Sequence, residues 1–389
     1  MLSTLAADRK RIADIDAKLL DNGDADGCPA LLLEKEAAQK RLDDYKYPVL
    51  TLPNEIVSEI FELLVPLYPV CPPQAGLSSP TLLSHICSTW RQIAITTPRL
   101  WRAIAVSFSR GSKSMASRRQ VELAEAWLRR SGCCPLSLEI RRDAFRELQK
   151  KGSGGHGQRI YTIMAAHRDR WEHLRVSSSV IGRQVFRGPM PLLRSLCLDD
   201  GRDSPATAFE QAPLLRSLSF QVTSYSYFNN PLATVTLPWL QFTSLALDTK
   251  SPSFAPPLEQ LQNLTHLELN ISDYFRKPRI RFARVQSLVL KDERRRTRRH
   301  ENHEILRNLT TPALRHLTVW TFFIDGWRSD SAIGGLMSFL TVSACQLEEL
   351  CIVVTDNRKS HRDLECDLPY YRRAFPTIPE ISLKKEESI

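Results

Sequence analysis

Two histidines stand three residues apart in His300-Glu301-Asn302-His303. That spacing could offer two imidazoles to one metal ion, but a zinc site needs two further ligands. The preceding residues Arg294, Arg295, Arg296, Arg298 and Arg299 set up a positive field that opposes a cation. A solvated turn is the simpler reading. Gly152-Ser153-Gly154-Gly155-His156-Gly157 has the glycine density of a phosphate-binding loop. It lacks the Gly-Lys-Ser/Thr ending that puts a cation on the phosphates, and Lys150-Lys151 come before the glycines, so a flexible linker is expected. Asp43-Asp44 and Asp199-Asp200 are adjacent carboxylates. They diverge on a helix and point apart on a strand, which suits caps and surfaces.

The nine cysteines are Cys28, Cys71, Cys87, Cys133, Cys134, Cys197, Cys345, Cys351 and Cys366. No Cys-x-x-Cys occurs, and most lie in apolar runs such as Ser195-Leu196-Cys197-Leu198. That usage predicts reduced thiols serving as small hydrophobes in the cytoplasm or nucleus. No Gly-x-Ser-x-Gly elbow, dinucleotide loop or His-Glu-x-x-His is present. The chain is expected to be no enzyme, with no catalytic residue, no metal and no cofactor.

What remains is binding. In Leu50-Thr51-Leu52-Pro53-Asn54-Glu55-Ile56-Val57-Ser58-Glu59-Ile60-Phe61-Glu62-Leu63-Leu64, Pro53 sits where a helix should start. Glu55 supplies first-turn negative charge. Ile56, Ile60 and Leu64 form one i, i+4 row, and Val57 and Phe61 form another, so more than one face wants burial. A proline-rich stretch, Pro66 to Pro80, follows. Leu83, Ile86, Cys87, Trp90, Ile93 and Ala94 make a second helical stripe, and Pro98-Arg99-Leu100-Trp101 closes the unit. Three short helices in about fifty residues have a marginal core and gain stability from a partner or an adjoining domain.

The elements around this unit follow from composition and period. A chain of 389 residues has room for two or three domains. With 42% hydrophobic and 25% charged residues it reads as soluble and globular. No apolar run approaches the roughly 18–20 residues that span a bilayer, and Met1 to Lys18 has no apolar signal core, so neither membrane nor secretion is expected. The net charge of +10 suggests an acidic partner. The run at 294–299 reads as a nuclear-import or polyanion signal, or more simply as a loop. No aromatics interleave with it, so nucleic acid is not expected as a ligand. Residues 1–46 read as a helical hairpin, a short coiled coil, with Leu5, Ile12, Ile15 and Leu19 facing Leu31, Ala38, Leu42 and Tyr45 across a turn at Asn22 to Gly27. Residues 105–159 read as a linking helix, a strand and a flexible loop.

Residues 160–389 are repetitive. An apolar residue, two others, an apolar residue, one other and an apolar residue recur nine times, centred on Leu174, Leu196, Leu218, Leu245, Leu267, Leu288, Leu317, Leu350 and Ile381. The successive differences of those numbers run from 21 to 33. In Leu-x-Leu both leucines point to one sheet face, and each coil buries them only by stacking on its neighbours. The pattern resembles leucine-rich repeats. It lacks their turn Asn or Cys, because those positions hold Gly201, Thr223, Lys250, Ser272, Glu293, Phe322 and Thr355. Turns held in another way are expected. The fold class is thus α/β: a helical hairpin and three helices followed by an irregular leucine-rich-repeat-like solenoid, an α/β horseshoe.

The Leu-Pro-x-Glu start, the Cys87-x-x-Trp90 pair and Pro98-x-Leu100-Trp101 together make residues 48–104 resemble an F-box, most closely the form common in fungal, basidiomycete-type proteins. The long stretch between the first two helices departs from that pattern. The resemblance implies a substrate adaptor of an SCF-type cullin–RING ubiquitin ligase, docking on a Skp-type adaptor protein and through it on a cullin. It carries the docking role to Leu52, Pro53, Glu55, Ile56, Ile60, Leu64, Leu83, Ile86, Cys87, Trp90 and Trp101. A protein-interaction scaffold outside any ligase is the alternative. The repeats would then hold the target on Ser195, Cys197, Ser217, Ser219, Ser244, Ala246, His266, Glu268, Ser287, Val289, His316, Thr318, Glu349 and Cys351. Arg284, Lys291 and Arg315 flank the later repeats and favour an acidic segment at about 264–355.

Overall fold

The computed structural model describes residues 2–21, 29–44, 48–106, 114–140, 156–177, 186–199, 206–207, 209, 211–221, 235–249, 260–271, 279–291, 303–323, 331–354 and 361–385. The fold is α/β, with one large parallel sheet and ten α-helices among the described residues. No helix of the described residues is long and apolar enough to cross a membrane.

Helices α1 (Leu2–Asp21) and α2 (Pro29–Asp44) pair as the hairpin pattern predicts, burying Leu5, Ile15 and Ala38 between them. Asp8 pairs with Arg41 at 2.6 Å and Asp16 with Lys35 at 2.5 Å, while Arg11 meets Glu34. The hydrogen bond from Arg41 holds the Asp8 carboxyl below the usual carboxylate range. The turn between the helices, with Cys28, and Tyr45 lie outside the described residues.

Three helices follow: α3 (Asn54–Leu64), α4 (Pro80–Ile86) and α5 (Ser88–Thr96), closed by a 3-10 turn at Pro98–Trp101. Pro53 is the N-cap of α3 rather than its first helical residue, and its carbonyl accepts from Val57 at 3.1 Å. Ser79 caps α4 by accepting from Thr81. Cys87 is extended and breaks α4 from α5, and its Sγ accepts from the Trp90 amide at 3.4 Å.

Eleven strands then form one sheet in chain order: β1 (Ala103–Val106), β2 (Leu136–Ile140), β3 (Trp171–Ser177), β4 (Ser195–Asp199), β6 (Ser217–Gln221), β8 (Ser244–Thr249), β9 (His266–Ile271), β11 (Ser287–Lys291), β13 (His316–Trp320), β14 (Glu349–Val354) and β15 (Glu380–Lys385). Every neighbouring pair is parallel and the sheet does not close on itself. Between them β5 (Ala206–Thr207) pairs with β7 (Val235–Thr236), and β10 (Ile280–Arg281) pairs with β12 (Leu309–Thr310), as short parallel ladders in the connecting segments.

The register explains the sequence pattern. Leu174, Leu196, Leu218, Leu245, Leu267, Leu288, Leu317, Leu350 and Ile381 stand opposite one another from strand to strand. Every template residue of the nine matches is buried except Leu383, which is half-buried at the edge. Burying each such leucine stabilises the fold by about 1.5–3 kcal/mol relative to leaving it in water. The wider spacings hold the larger insertions: α8 (His303–Asn308) before β13, α9 (Ser331–Ser343) before β14 and α10 (His361–Ala374) before β15.

The turns are held at the strand entries. A chain reversal closes on the first apolar residue of the template, where Leu193 donates to Met190, Leu215 to Ala212, Leu314 to Thr311 and Ile378 to Phe375, all at 3.2 Å. One residue later the backbones pair across coils: Arg216 donates to Arg194, Thr243 to Arg216, Thr265 to Thr243 and Gln286 to Thr265. The positions that lack the usual Asn lie outside the described residues, apart from the Phe322 backbone in the 3-10 turn Thr321–Phe323.

The sheet begins before residue 160, where the repeat pattern first became visible. Ile104 and Leu138 continue the leucine ladder across β1 and β2. Trp101, Ile104 and Val106 match the apolar template, with Trp101 in the place of the lead-in residue. In β2 the lead-in place is Pro135, which hid that repeat. Helix α6 (Ser114–Arg130) joins β1 to β2, and α7 (His156–Ala165) joins β2 to β3. His156 and Gly157, expected in a flexible loop, start α7; the rest of the Gly152 to Gly157 stretch lies outside the described residues.

Leu218→Ala, in the middle of the sheet, should lower unfolding free energy by about 2–5 kcal/mol. Ser219→Ala, one residue on and facing outward, should change it by no more than about 0.5 kcal/mol. Urea denaturation of both variants checks the assignment of the two faces.

Candidate docking surface

Helix α3 carries two apolar rows with different fates. Val57 and Phe61 turn inward and are buried, Phe61 completely. The Phe61 ring meets Trp90 edge-on, with centroids 5.1 Å apart. Ser58 reaches Thr97 at 3.1 Å and ties α3 to the end of α5. Leu52, Pro53, Glu55, Ile56, Ile60 and Leu64 are exposed. Leu63 is 80% exposed and belongs with them, because Ile56, Ile60, Leu63 and Leu64 follow the i, i+4, i+7, i+8 spacing of one helix face. That spacing is readable in the sequence, although the F-box resemblance does not carry the docking role to Leu63. On α4 the same division recurs, with Leu83 buried and Leu82 and Ile86 exposed. Most of the exposed large apolar side chains of the described residues lie between Leu50 and Ile86. Clustered apolar exposure of this kind marks an interaction surface.

The geometry removes several residues from that surface. Leu83 and Trp101 are core. Trp101 donates from Nε1 to the Ala94 carbonyl at 2.7 Å, packs edge-on against Trp127 at 5.3 Å and carries the Arg130 guanidinium 4.5 Å above its ring. Trp90 is half-buried against Phe61, and Cys87 caps α5. Of the residues expected to dock, Leu83 and Trp101 are thus buried, Cys87 and Trp90 half-buried, and Leu52, Pro53, Glu55, Ile56, Ile60, Leu64 and Ile86 exposed, as are Leu63 and Leu82.

The stretch between α3 and α4 does not hang free. It lies on the outward face of β1, β2 and β3. Ser137 donates to the Pro69 carbonyl at 2.6 Å, and Gln74 donates to the Ala105 carbonyl at 2.8 Å. Tyr68 donates to Glu172 at 2.9 Å, its ring meets His173 edge-on at 5.3 Å, and the Arg102 guanidinium sits 4.0 Å from its centroid. Burial, then the bond to Glu172, pushes the Tyr68 hydroxyl far above its ordinary range, so it stays a donor. Burial lowers the His173 pKa below its ordinary 6.5. An open cleft of about 180 Å³ separates this stretch from the end of α3, lined by Leu63, Leu67, Val70, Arg99 and Arg102 among others.

The candidate target face is also reshaped. The outward residues of β4 to β11, from Ser195 to Val289, are half-buried apart from Asn270, which is buried. At the far end β14 is buried on both faces, and Cys351 and Val353 are covered. Arg284, Lys291 and Arg315 do not converge. Arg284 donates to Asn263 at 2.8 Å, Lys291 pairs with Glu268 at 2.6 Å, and Arg315 pairs with Glu348. Arg315, one residue before its strand, is five register positions from Lys291 at the end of β11, roughly 16 Å along the strand direction, and Arg284 precedes β11 by three residues. The arginine run at 294–299 and His300 lie outside the described residues. Among the described residues no group of three or more His, Cys, Asp or Glu is placed to hold a metal ion.

No known protein-family model and no curated protein matches this sequence.

Phe61→Ala should destabilise the chain by about 3–5 kcal/mol, the scale of an aromatic cavity in a core. Ile60→Ala, its neighbour, should stay within about 0.5 kcal/mol of the parent chain. Thermal melts of the pair check which row faces inward. A second expectation concerns pH. His173 in place has a pKa below 6.5, whereas released it titrates near 6.5, so the released state binds more protons below that value. The 68–74 stretch should hold fully above pH 6.5 and loosen as pH falls below it. Amide-exchange protection factors of these residues at pH 7.5 and 5.5 test the sign.

Proposed function

We propose that residues 48–104 are an F-box and that the chain is the substrate-recognition adaptor of an SCF-type cullin–RING ubiquitin ligase. The α/β sheet is then an irregular leucine-rich-repeat horseshoe that presents a target protein. The single observation that carries the reading is the division of α3. Its inner row supplies core, and its outer row keeps Ile56, Ile60, Leu63 and Leu64 in solvent beside Leu52 and Pro53. Exposed aliphatic side chains on a rigid helix are what a Skp-type adaptor would bury. Ile56, Ile60 and Leu64 are already about half covered, so burying the rest of each would contribute about 1 kcal/mol of transfer free energy before the costs of association.

The chain's own chemistry in this role is none. It raises the effective concentration of a target near a charged ubiquitin-conjugating enzyme. That requires the docking helices and the target platform to hold a fixed relation. Trp101 and the Pro69, Gln74 and Tyr68 contacts to the sheet favour such stiffness.

Coexpression with a Skp-type adaptor and its cullin tests the reading. The parent chain should copurify both. Leu52→Ala with Pro53→Ala, and separately Ile56→Asp with Ile60→Asp, should lose the adaptor while the melting temperature stays within a few degrees. Retention of the adaptor by both variants would refute the docking face. Copurification of the adaptor without the cullin would refute the ligase role and leave a scaffold.

A further inference from the structure

A cleft opens where the C-terminal end of α3 faces the stretch that leads to α4. Leu63 stands on the helix side and Leu67 and Val70 on the other, and they are 80%, 81% and 59% exposed. Across a gap of about 180 Å³ such side chains would cover one another if either wall could move in. Both walls are fastened. Phe61 against Trp90 and Ser58 against Thr97 hold α3, while Pro69 and Tyr68 are bonded to Ser137 and Glu172 of the sheet. Leu100 and Ala103, both buried, also line the gap.

The charged lining is unequal, with Arg99 and Arg102 against Glu62. Arg99 lies 3.6 Å from Glu62, beyond hydrogen-bonding distance, and its side chain is 66% exposed. An exposed pair of that length holds the guanidinium weakly. Arg102 meets the Tyr68 ring, which leaves its N–H donors without an oxygen. Among the described residues neither guanidinium donates a hydrogen bond. The sheet adds to this field. The residues immediately before β1, β3, β4 and β6 are Arg102, Arg170, Arg194 and Arg216, and a parallel sheet brings all four to one end. The acids beside them are Asp169 and Glu172. Arg284, Lys291 and Arg315, where an acidic segment was expected, each have a side-chain partner already.

The geometry points to this cleft as a docking groove for an acidic segment of a partner protein. The segment sets one aliphatic side chain between Leu63, Leu67 and Val70 and a carboxylate on Arg99 and Arg102. A space of about 180 Å³ holds one such side chain, since a cavity of about 150 Å³ holds a benzene ring. The forked donors of a guanidinium match a carboxylate, and the same two cations repel a basic segment. Because the walls are preset, binding does not have to open the site first. The groove takes only Leu63 from the exposed row of α3, so the inference does not depend on the F-box reading.

A random peptide library displayed on phage, panned on the full chain, tests it. The selected peptides should share an aliphatic residue with Asp or Glu beside it. A synthetic copy of one should lose at least about tenfold in affinity on Leu67→Asp, and as much on Arg99→Glu. Both side chains are exposed, so the melting temperature should stay within a few degrees of the parent chain. Changing the peptide instead, its aliphatic residue to Ala or its acid to the amide, should cost as much against the parent chain, a loss that unfolding of a variant cannot imitate. Selection without that pattern, no selection at all, or a loss below about tenfold in any of the four pairings would overturn the inference.

Discussion

Trp101 is the residue on which two cores meet. Its indole donates to the end of α5, stacks edge-on against α6 and fills the lead-in place of the first strand. From there one buried apolar cluster runs without a break from Val57 on α3 to Ile381 on β15. A helical unit of about fifty residues with a marginal core thus shares the core of an eleven-stranded sheet. The sheet in turn depends on register. Parallel strands bury one continuous apolar face only if each leucine meets the next, and the aligned centres from Ile104 to Ile381 meet that demand across β-connections of very different length.

This arrangement sets what is left over for function. The inner row of α3 packs toward α5, where Phe61 meets Trp90, and leaves the outer row facing away from the core. The stretch between α3 and α4 adds a second fastening. Its contacts through Pro69, Gln74 and Tyr68 cover β1 to β3, while β14 is covered at the other end. The outward face stays open in the middle, over β4 to β11. The exposed row of α3 and the outward face of the sheet are therefore two surfaces joined by one buried core.

The leucine ladder was legible because burial leaves one kind of side chain at each rung, and a period survives variable insertions. Helix α3 was legible from Pro53, Glu55 and its two apolar rows. Apolarity alone did not separate Ile56/Ile60/Leu64 from Val57/Phe61; the F-box resemblance put the first row outward, and Val57 and Phe61 are the buried pair. Leu83 and Trp101 were assigned outward for the same reason. The start of the sheet was missed because Trp101 reads as the end of the helical unit and Pro135 interrupts the pattern in β2. The engagement of Arg284, Lys291 and Arg315 was beyond the sequence, because Asn263, Glu268 and Glu348 reach them from neighbouring coils.

The central claim is that one helix carries an inner row for folding and an outer row for a partner. Site-specific photocrosslinking tests it most directly. A benzophenone side chain placed at Ile60 should crosslink a purified Skp-type adaptor, and the same group at Glu122, on α6, should not. Absence of a crosslink from Ile60 in a folded chain, or equal crosslinking from both positions, would contradict the account.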